Sequence, residues 1–503
     1  MPTWALLVLT LILASCSHKP DSNTLVMIIE SSPTNLDPRV GLDAQSERID
    51  GLLFDNLLSR DEHLSVKPGL AERWDIPDPK TYVFHLRTGL RFADGSPLTS
   101  RDVKWSYDSL LQGKIRSTKA AAYRFVDHID APDDGTVIFH LKQPWTALLW
   151  NVAGGGGMGI VPCGSGAEAS RHPIGSGPFR FVSAEQDKEV VIERSPNYWG
   201  EKTKLERVRF AVVPDTTTRA LELRKGSADL EINALTPDME SALQREPHLA
   251  VVRGPGTRLA YMAFNLRDPI LKDVRVRQAI AYALDRSPQI RFLLGGEARP
   301  ADSVLPPESW AYDPRVAKYA YDPAKARRLL DDAGYSEKND IRFHLVMKTS
   351  TEEASRAMAS VFQQQLRDVG IALDIRSFEF ATFFSDITHG EFQLYSLRWI
   401  GGNEDPDIFE YAFDSARIIP NGANRQYYSN PRVDALIAKA STELDQNARK
   451  QDYAEIQQIL AEDLPYINLW YFDNVMVYSK RVRGLQMNPS GDYEFLKTAE
   501  LTK

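Results

Sequence analysis

Residues able to do chemistry are plentiful in this chain, but they lack the spacing that most chemistry demands. Nine histidines are present, and none forms HExxH or another helical pair that would grip a metal. There is no GxSxG nucleophile turn, no phosphate loop of the form GxxxxGKS or GxxxxGKT, and no GxGxxG between a strand and a helix. Gly175-Ser176-Gly177-Pro178 imitates a nucleophile loop. Pro178 follows at once, so the run reads as a turn and not as the start of a helix with free amides. Glu404, Asp405 and Asp407 crowd one short stretch. Such a cluster can hold a cation or exchange protons, and its plainer reading is a polar loop with a helix cap. His85 and His140 fall in strand-like segments, opposite apolar side chains, and read as solvent-facing or hydrogen-bonded. The expectation is no catalytic constellation, no metal set and no cofactor.

The elements that must position these groups are legible. Tyr82, Phe84 and Leu86 alternate within 80–87, and Val137, Phe139 and Leu141 alternate within 136–142, so both segments read as half-buried strands. Residues 371–375 alternate in the same way. Thr99 and Asp102 form a capping pair ahead of a helix carrying Val103, Tyr107 and Leu110. Residues 322–334 read as a helix with an Asp cap, Pro in the first turn and Gly at the exit. A helix over 352–370 turns Ala354, Met358, Val361, Phe362, Leu366 and Val369 inward. Asn430-Pro431 opens another helix, with Val433, Leu436, Ile437 and Ala440 inward, and 448–460 forms a further one. The Gly154–Gly157 run reads as a loop. Strands and helices alternate without a repeat, which predicts an α/β protein.

Composition narrows the function. The chain has 503 residues, 43% hydrophobic and 25% charged, as in an ordinary globular protein of roughly two to four compact units. A formal net charge of −8 and the lack of a basic run argue against nucleic acid as a partner. Two cysteines, Cys16 and Cys163, cannot build a disulfide scaffold or a thiolate cluster.

Residues 4–14, WALLVLTLILA, are apolar and too short for a bilayer span of about 20 residues. With Leu13-Ala14-Ser15-Cys16 after them, they read as a secretory signal (1–15) ending in a lipidation site at Cys16, although no Lys or Arg precedes the run. A polar tether, 16–23, would follow. The folded part is then expected outside the cytoplasm, in the periplasm or at the cell surface, held to a membrane through Cys16. Cys163 would be the remaining thiol of the mature chain and reads as a small packed residue.

Several segments, in order, resemble the family 5 solute-binding proteins of ABC importers, the group that includes peptide- and nickel-binding members. Ser31-Ser-Pro-Thr-Asn-Leu-Asp-Pro38 looks like the family's first-strand motif. Gly69-Leu-Ala-Glu-Arg-Trp74, residues 82–106 (YVFHLRTGLRFADGSPLTSRDVKWS) and Pro173-Ile-Gly-Ser-Gly-Pro-Phe179 are similar to its signatures. Residues 265–286, 321–330, 399–407 and Glu462-Asp-Leu-Pro465 complete the series.

The resemblance implies a periplasmic-binding-protein-like α/β fold of type II, cluster C. Its parts would be lobe I over 24–262 with an inserted subdomain at about 55–180, lobe II over 263–478, and a return to lobe I over 479–503. Hinge crossings are expected near Leu259–Leu266 and Val475–Lys480. It implies a monomer that closes on a ligand without turnover and delivers it to a membrane permease and ATPase. The ligand expected is a peptide; the alternative is a metal chelate, an opine or a sugar, carried or sensed.

Two departures bear on that ligand. Where peptide-binding relatives place an ammonium-anchoring Asp after Trp399, this chain has Gly402. Where dipeptide-binding relatives place a carboxylate-binding Arg, it has Thr349, with Lys348 beside it. Glu404 or Asp405 are the candidates to replace the lost anion. Ligand contacts are expected from Thr34, Asn35, Tyr123, Phe380, Trp399, Gly401, Gly402, Asn403, Glu404 and Asp405.

Overall fold

The computed structural model describes residues 23–154, 158–401 and 404–502. The signal, Cys16 and nearly all of the tether lie outside these residues, as do Gly155–Gly157, Gly402 and Asn403.

Apolar alternation builds a four-stranded antiparallel sheet in the order Ala71–Asp78, Thr81–Leu86, Thr136–Leu141, Val126–Asp133. Tyr82, Phe84, Val137 and Phe139 are fully buried on one face. The helix Ser100–Leu111 covers that face, and Thr99 and Asp102 close its N-terminus as a capping box. Asp102 also accepts the amide of Cys163 at 2.9 Å. The Cys163 side chain is exposed, not packed, because it follows Pro162 into a surface turn. This small unit draws its core from residues between Leu57 and Ile160.

It is inserted into a lobe built on a seven-stranded mixed sheet. The order is Leu249–Gly254, Asn474–Ser479, Leu230–Ile232, Thr24–Ile29, Arg207–Val212, Glu189–Arg194, Phe179–Glu185. The insertion drawn to 180 therefore overlaps a strand of the main sheet, which begins at Phe179. The Ser31–Pro38 motif is the loop after the first strand and leads to the helix Ala44–Leu53.

The second lobe has a six-stranded mixed sheet in the order Ala298–Pro300, Tyr466–Phe472, Leu259–Phe264, Leu394–Trp399, Phe343–Ser350, Ile371–Phe378. Helices Glu353–Arg367, Pro431–Ala440 and Gln446–Asp463 cover it. Asp322 caps Pro323–Asp332 as its Asp-Pro opening predicts. Ala354 is exposed in the first turn of its helix, and Ala359 takes an inward place instead.

The crossings between lobes lie earlier than the expected positions. All six residues of Leu259–Phe264 are buried inside the second lobe, and Asn474–Ser479 is a full strand of the first. The chain therefore crosses at 255–258 and again at Asp473, and the boundaries drawn after 262 and 478 both move toward the N-terminus. A strand buried on both faces belongs to a core, whereas Pro255 and Gly256 suit a connector. The two crossings touch. A methyl group on Gly256 would stand 2.2 Å from the carbonyl oxygen of Phe472. The buried Asn474 amide donates to the carbonyl oxygens of Pro255, Asn488 and Pro489 at 3.3, 3.1 and 2.9 Å.

This packing makes Gly256→Ala costly by about 1–3 kcal/mol, since a backbone carbonyl must move. Gly51→Ala, at a helical site with nothing within 4 Å, should be neutral or stabilising by up to about 1 kcal/mol. Thermal denaturation of the two variants should move the midpoint down for the first and not for the second.

Candidate functional site

The two lobes meet at the sheet end that the crossing enters. Leu259 pairs with Trp399 on one side and Tyr471 on the other, so three strand ends of the second lobe share one row. Loops at such ends are where α/β sheets offer a crevice to ligands.

Glu404 is the central residue of the contact. It is buried, accepts from Arg60 of the first lobe at 2.8 Å, and accepts from the Thr257 hydroxyl of the crossing at 2.9 Å. The Arg60 guanidinium lies 4.9 Å from the Trp150 ring centroid. Further contacts span the lobes. Thr146 donates its amide (3.0 Å) and hydroxyl (3.2 Å) to the Ser441 carbonyl, the Trp310 amide donates to the His63 carbonyl at 3.1 Å, and Arg124 lies 3.4 Å from Glu410.

Beside Glu404 lies a cavity of about 210 Å³. Trp150 and Asn151 of the first lobe face Trp399, Gly401, Asp405, Asp407, Ile408 and Tyr411 of the second. Trp399 is stacked on Tyr261 at 5.9 Å and meets Tyr411 edge-on at 6.3 Å. Asp405 accepts the amide of Asp407 at 2.9 Å. Asp407 occupies the cap position of the helix Ile408–Phe413 without a side-chain cap bond of its own; within the cluster it is Asp405 that satisfies an amide at the helix entry. Burial pushes the Asp405 carboxyl up, against the pull of Arg449 and Arg60. Burial, with Asp405 and Glu410 adding like charge, pushes Asp407 up to about 8. The cavity thus has aromatic walls and two carboxyl groups that resist ionising without a cation.

A basic group stands at the same end of the sheet. Arg48 comes from the first-lobe helix, Arg258 from the crossing and Arg398 from the strand end before Trp399. The Arg258 and Arg398 guanidinium carbons lie 5.6 and 5.1 Å from the Phe472 ring. The Arg258 Nε is buried with no hydrogen-bond partner among the described residues. Burial, then Arg48 and Arg398, holds its guanidinium down at about 10, and Glu30 offsets part of this. None of the three was among the expected contacts. Each lies in a different element, and no local pattern links them.

The expected residues divide. Trp399, Gly401 and Asp405 line the cavity, and Glu404 bridges the lobes beside it. Glu404 is therefore committed to Arg60 and Thr257, leaving Asp405 and Asp407 as the available anions. Gly401 adopts φ +73°, and a methyl group placed on it would meet nothing within 4 Å, so it serves the turn and not a tight approach. Tyr123 is in the core: it is 1% exposed, lies edge-on to Tyr107 at 5.1 Å and donates to the Asn151 carbonyl at 3.1 Å. It supports a cavity-lining residue and does not reach a ligand. Thr34 donates its amide and hydroxyl to Asp43, and the Asn35 amide donates to Ser46 Oγ at 3.1 Å, so both order the start of the helix Ala44–Leu53. Phe380 is exposed on a helix start, stacked on Phe384 at 5.8 Å, and is not in the cavity wall. Lys348 donates to Asp386 at 2.7 Å, and Thr349 is buried, so neither supplies a free cation.

Comparison with known proteins bears on this geometry. The sequence model of the bacterial extracellular solute-binding proteins, family 5 Middle, matches residues 65–421. The dipeptide-binding protein of Escherichia coli (strain K12) is 26% identical over 519 residues, covering 97% of this chain and 96% of its own. The structure of HbpA2 from Haemophilus parasuis superposes with a TM-score of 0.85 at 26% identity, covering 96% of this chain and 100% of that one. The oligopeptide-binding protein AppA from Bacillus subtilis, in complex with a nonapeptide, gives 0.75 at 26% identity, covering 95% and 99%. No described helix is long and apolar enough to cross a membrane.

The raised Asp407 carboxyl has a signed consequence. A group whose folded value lies above its unfolded one, 3.8, stabilises the fold most at low pH and loses that contribution as pH rises through about 8. Asp407→Asn cannot ionise. Its denaturation midpoint relative to the parent should therefore rise between pH 5 and pH 8.5, and equal shifts at both pH values would contradict the assignment.

Proposed function

The chain belongs to the bacterial extracellular solute-binding proteins of family 5, and on that premise we propose that it captures a peptide between its lobes and delivers it to an ABC importer. It works outside the cytoplasm as a monomer, tethered through Cys16, and leaves its ligand chemically unchanged. The tether raises the protein's concentration at the permease.

One observation carries the peptide reading: groups for both ends of a zwitterion lie at one end of the second-lobe sheet. Asp405 and Asp407 suit an α-ammonium, whose buried charge needs a nearby anion. Arg258 suits a carboxylate, its unpartnered Nε being the donor left to receive it, and Arg48 and Arg398, the latter 3.5 Å from Glu352, add positive charge around it. They replace the charges missing at Gly402 and Thr349. Trp150, Trp399 and Tyr411 offer apolar and π surface to side chains. The dipeptide-binding relative and the nonapeptide complex agree with this ligand class.

Closure then has a driving force. An ammonium beside Asp407 favours the ionised carboxylate, so binding near neutral pH releases a proton. A ligand shifts the open–closed equilibrium only by its differential contacts, which here are those to Trp150, Asn151 and Arg48 of the first lobe, added when the lobes close on a ligand held by the second.

Calorimetry with short peptides tests the reading. Free peptides should bind with an enthalpy that depends on buffer ionisation, marking proton release. N-acetylation, or Asp407→Asn, should weaken binding by about 10- to 100-fold, as expected for a charge-assisted contact of ~1.5–3 kcal/mol. C-terminal amidation, or Arg258→Met, should do likewise. Equal affinity for blocked and free peptides would discard the two-ended assignment and turn attention to a metal chelate, an opine or a sugar.

A further inference from the structure

The solvent face of the small four-stranded sheet holds a set of groups that the cleft does not use. His128 and Asp130 stand two residues apart on Val126–Asp133, so they share a face. His140, on the adjacent strand, is in register with His128. The two imidazoles stack with centroids 4.3 Å apart and planes inclined by 11°. Both present Nε2 to the same carboxylate oxygen: Asp130 Oδ2 is 3.2 Å from His140 Nε2 and 3.8 Å from His128 Nε2. The three candidate ligand atoms lie within 4.8 Å of one another.

We propose that His128, His140 and Asp130 bind a divalent transition-metal ion of the Zn²⁺ class on this face, separate from the ligand cleft. The geometry supports it in three ways. Ligands about 2.0–2.1 Å from a tetrahedral zinc stand ~3.4 Å apart, and the 3.2 and 3.8 Å separations from Asp130 bracket that spacing; the two stacked rings, inclined by 11°, must tilt for both Nε2 lone pairs to converge on one ion. The donor set, two imidazoles and a carboxylate, is the one that borderline divalent ions prefer, with a fourth position left for water. A supporting carboxylate is also present. Asp127 Oδ2 lies 2.9 Å from His128 Nδ1, which orients the ring and leaves Nε2 as the donor toward the metal.

The site is half-exposed, with relative side-chain exposures of 54%, 31% and 55% for His128, His140 and Asp130, so an ion can enter without opening the fold. Once bound, it ties one strand to the next across the open face of the sheet. It also separates metal uptake from cargo: an ion measured on this protein need not be in the cleft.

The test uses the full chain, stripped with a chelator and titrated with ZnCl₂ by calorimetry. One equivalent of Zn²⁺ should bind. His128→Gln with His140→Gln should abolish this event while peptide binding persists. Asp127→Asn should weaken it by about tenfold, as loss of a supporting carboxylate does. Asp407→Asn should leave zinc uptake unchanged. Failure to bind zinc, or uptake undiminished in the double histidine variant, would overturn the proposal. So would uptake lost in Asp407→Asn but retained in the double variant.

Discussion

Two backbone crossings, packed against each other with no room for a side chain, govern everything else in this molecule. Residues 255–258 carry the chain into the second lobe, and Asp473 carries it back. Gly256 sits against the Phe472 carbonyl, and the buried Asn474 amide ties both passages to the 488–489 segment. Connections this short and this tightly bonded restrict the lobes to a small family of motions. The crevice beside them is consequently the place where contact between lobes can change.

Charge is arranged to exploit that place. Thr257 and Arg258 lie in the crossing itself. One holds Glu404, which also takes Arg60 from the opposite lobe; the other is half-buried beside like charges, with its Nε shielded from solvent. Glu404 is satisfied within the protein, whereas Arg258, Asp405 and Asp407 are held in forms that an oppositely charged ligand would relieve. On the peptide reading proposed above, desolvated groups of both signs at one sheet end favour a ligand with two charged ends. Aromatic side chains between the lobes add area that is apolar and indifferent to sequence.

Metal-ligating groups are arranged by a different rule. The small sheet buries Tyr82, Phe84, Val137 and Phe139 on one side, so its polar residues must share the other. Alternation and register alone then bring His128 opposite His140. The reading of His140 as a solvent-facing strand residue is right about its face, and its partner is a residue on the neighbouring strand.

Local order is what the sequence by itself determines here. Alternating apolar residues define the strands at 81–86 and 136–141, and caps at Thr99, Asp322 and Asn430 define helix starts, because those signals act within one turn or one pleat. The ordered motifs likewise suffice for the two-lobed family fold. Tertiary structure alone decided where the crossings fall, that Tyr123 is core, that Lys348 and Glu404 are already paired, and that Arg48, Arg258 and Arg398 gather. These depend on contacts between residues tens to hundreds of positions apart, as with Arg60 and Glu404. Such contacts are set by how whole layers pack, and no neighbouring residue carries a sign of them.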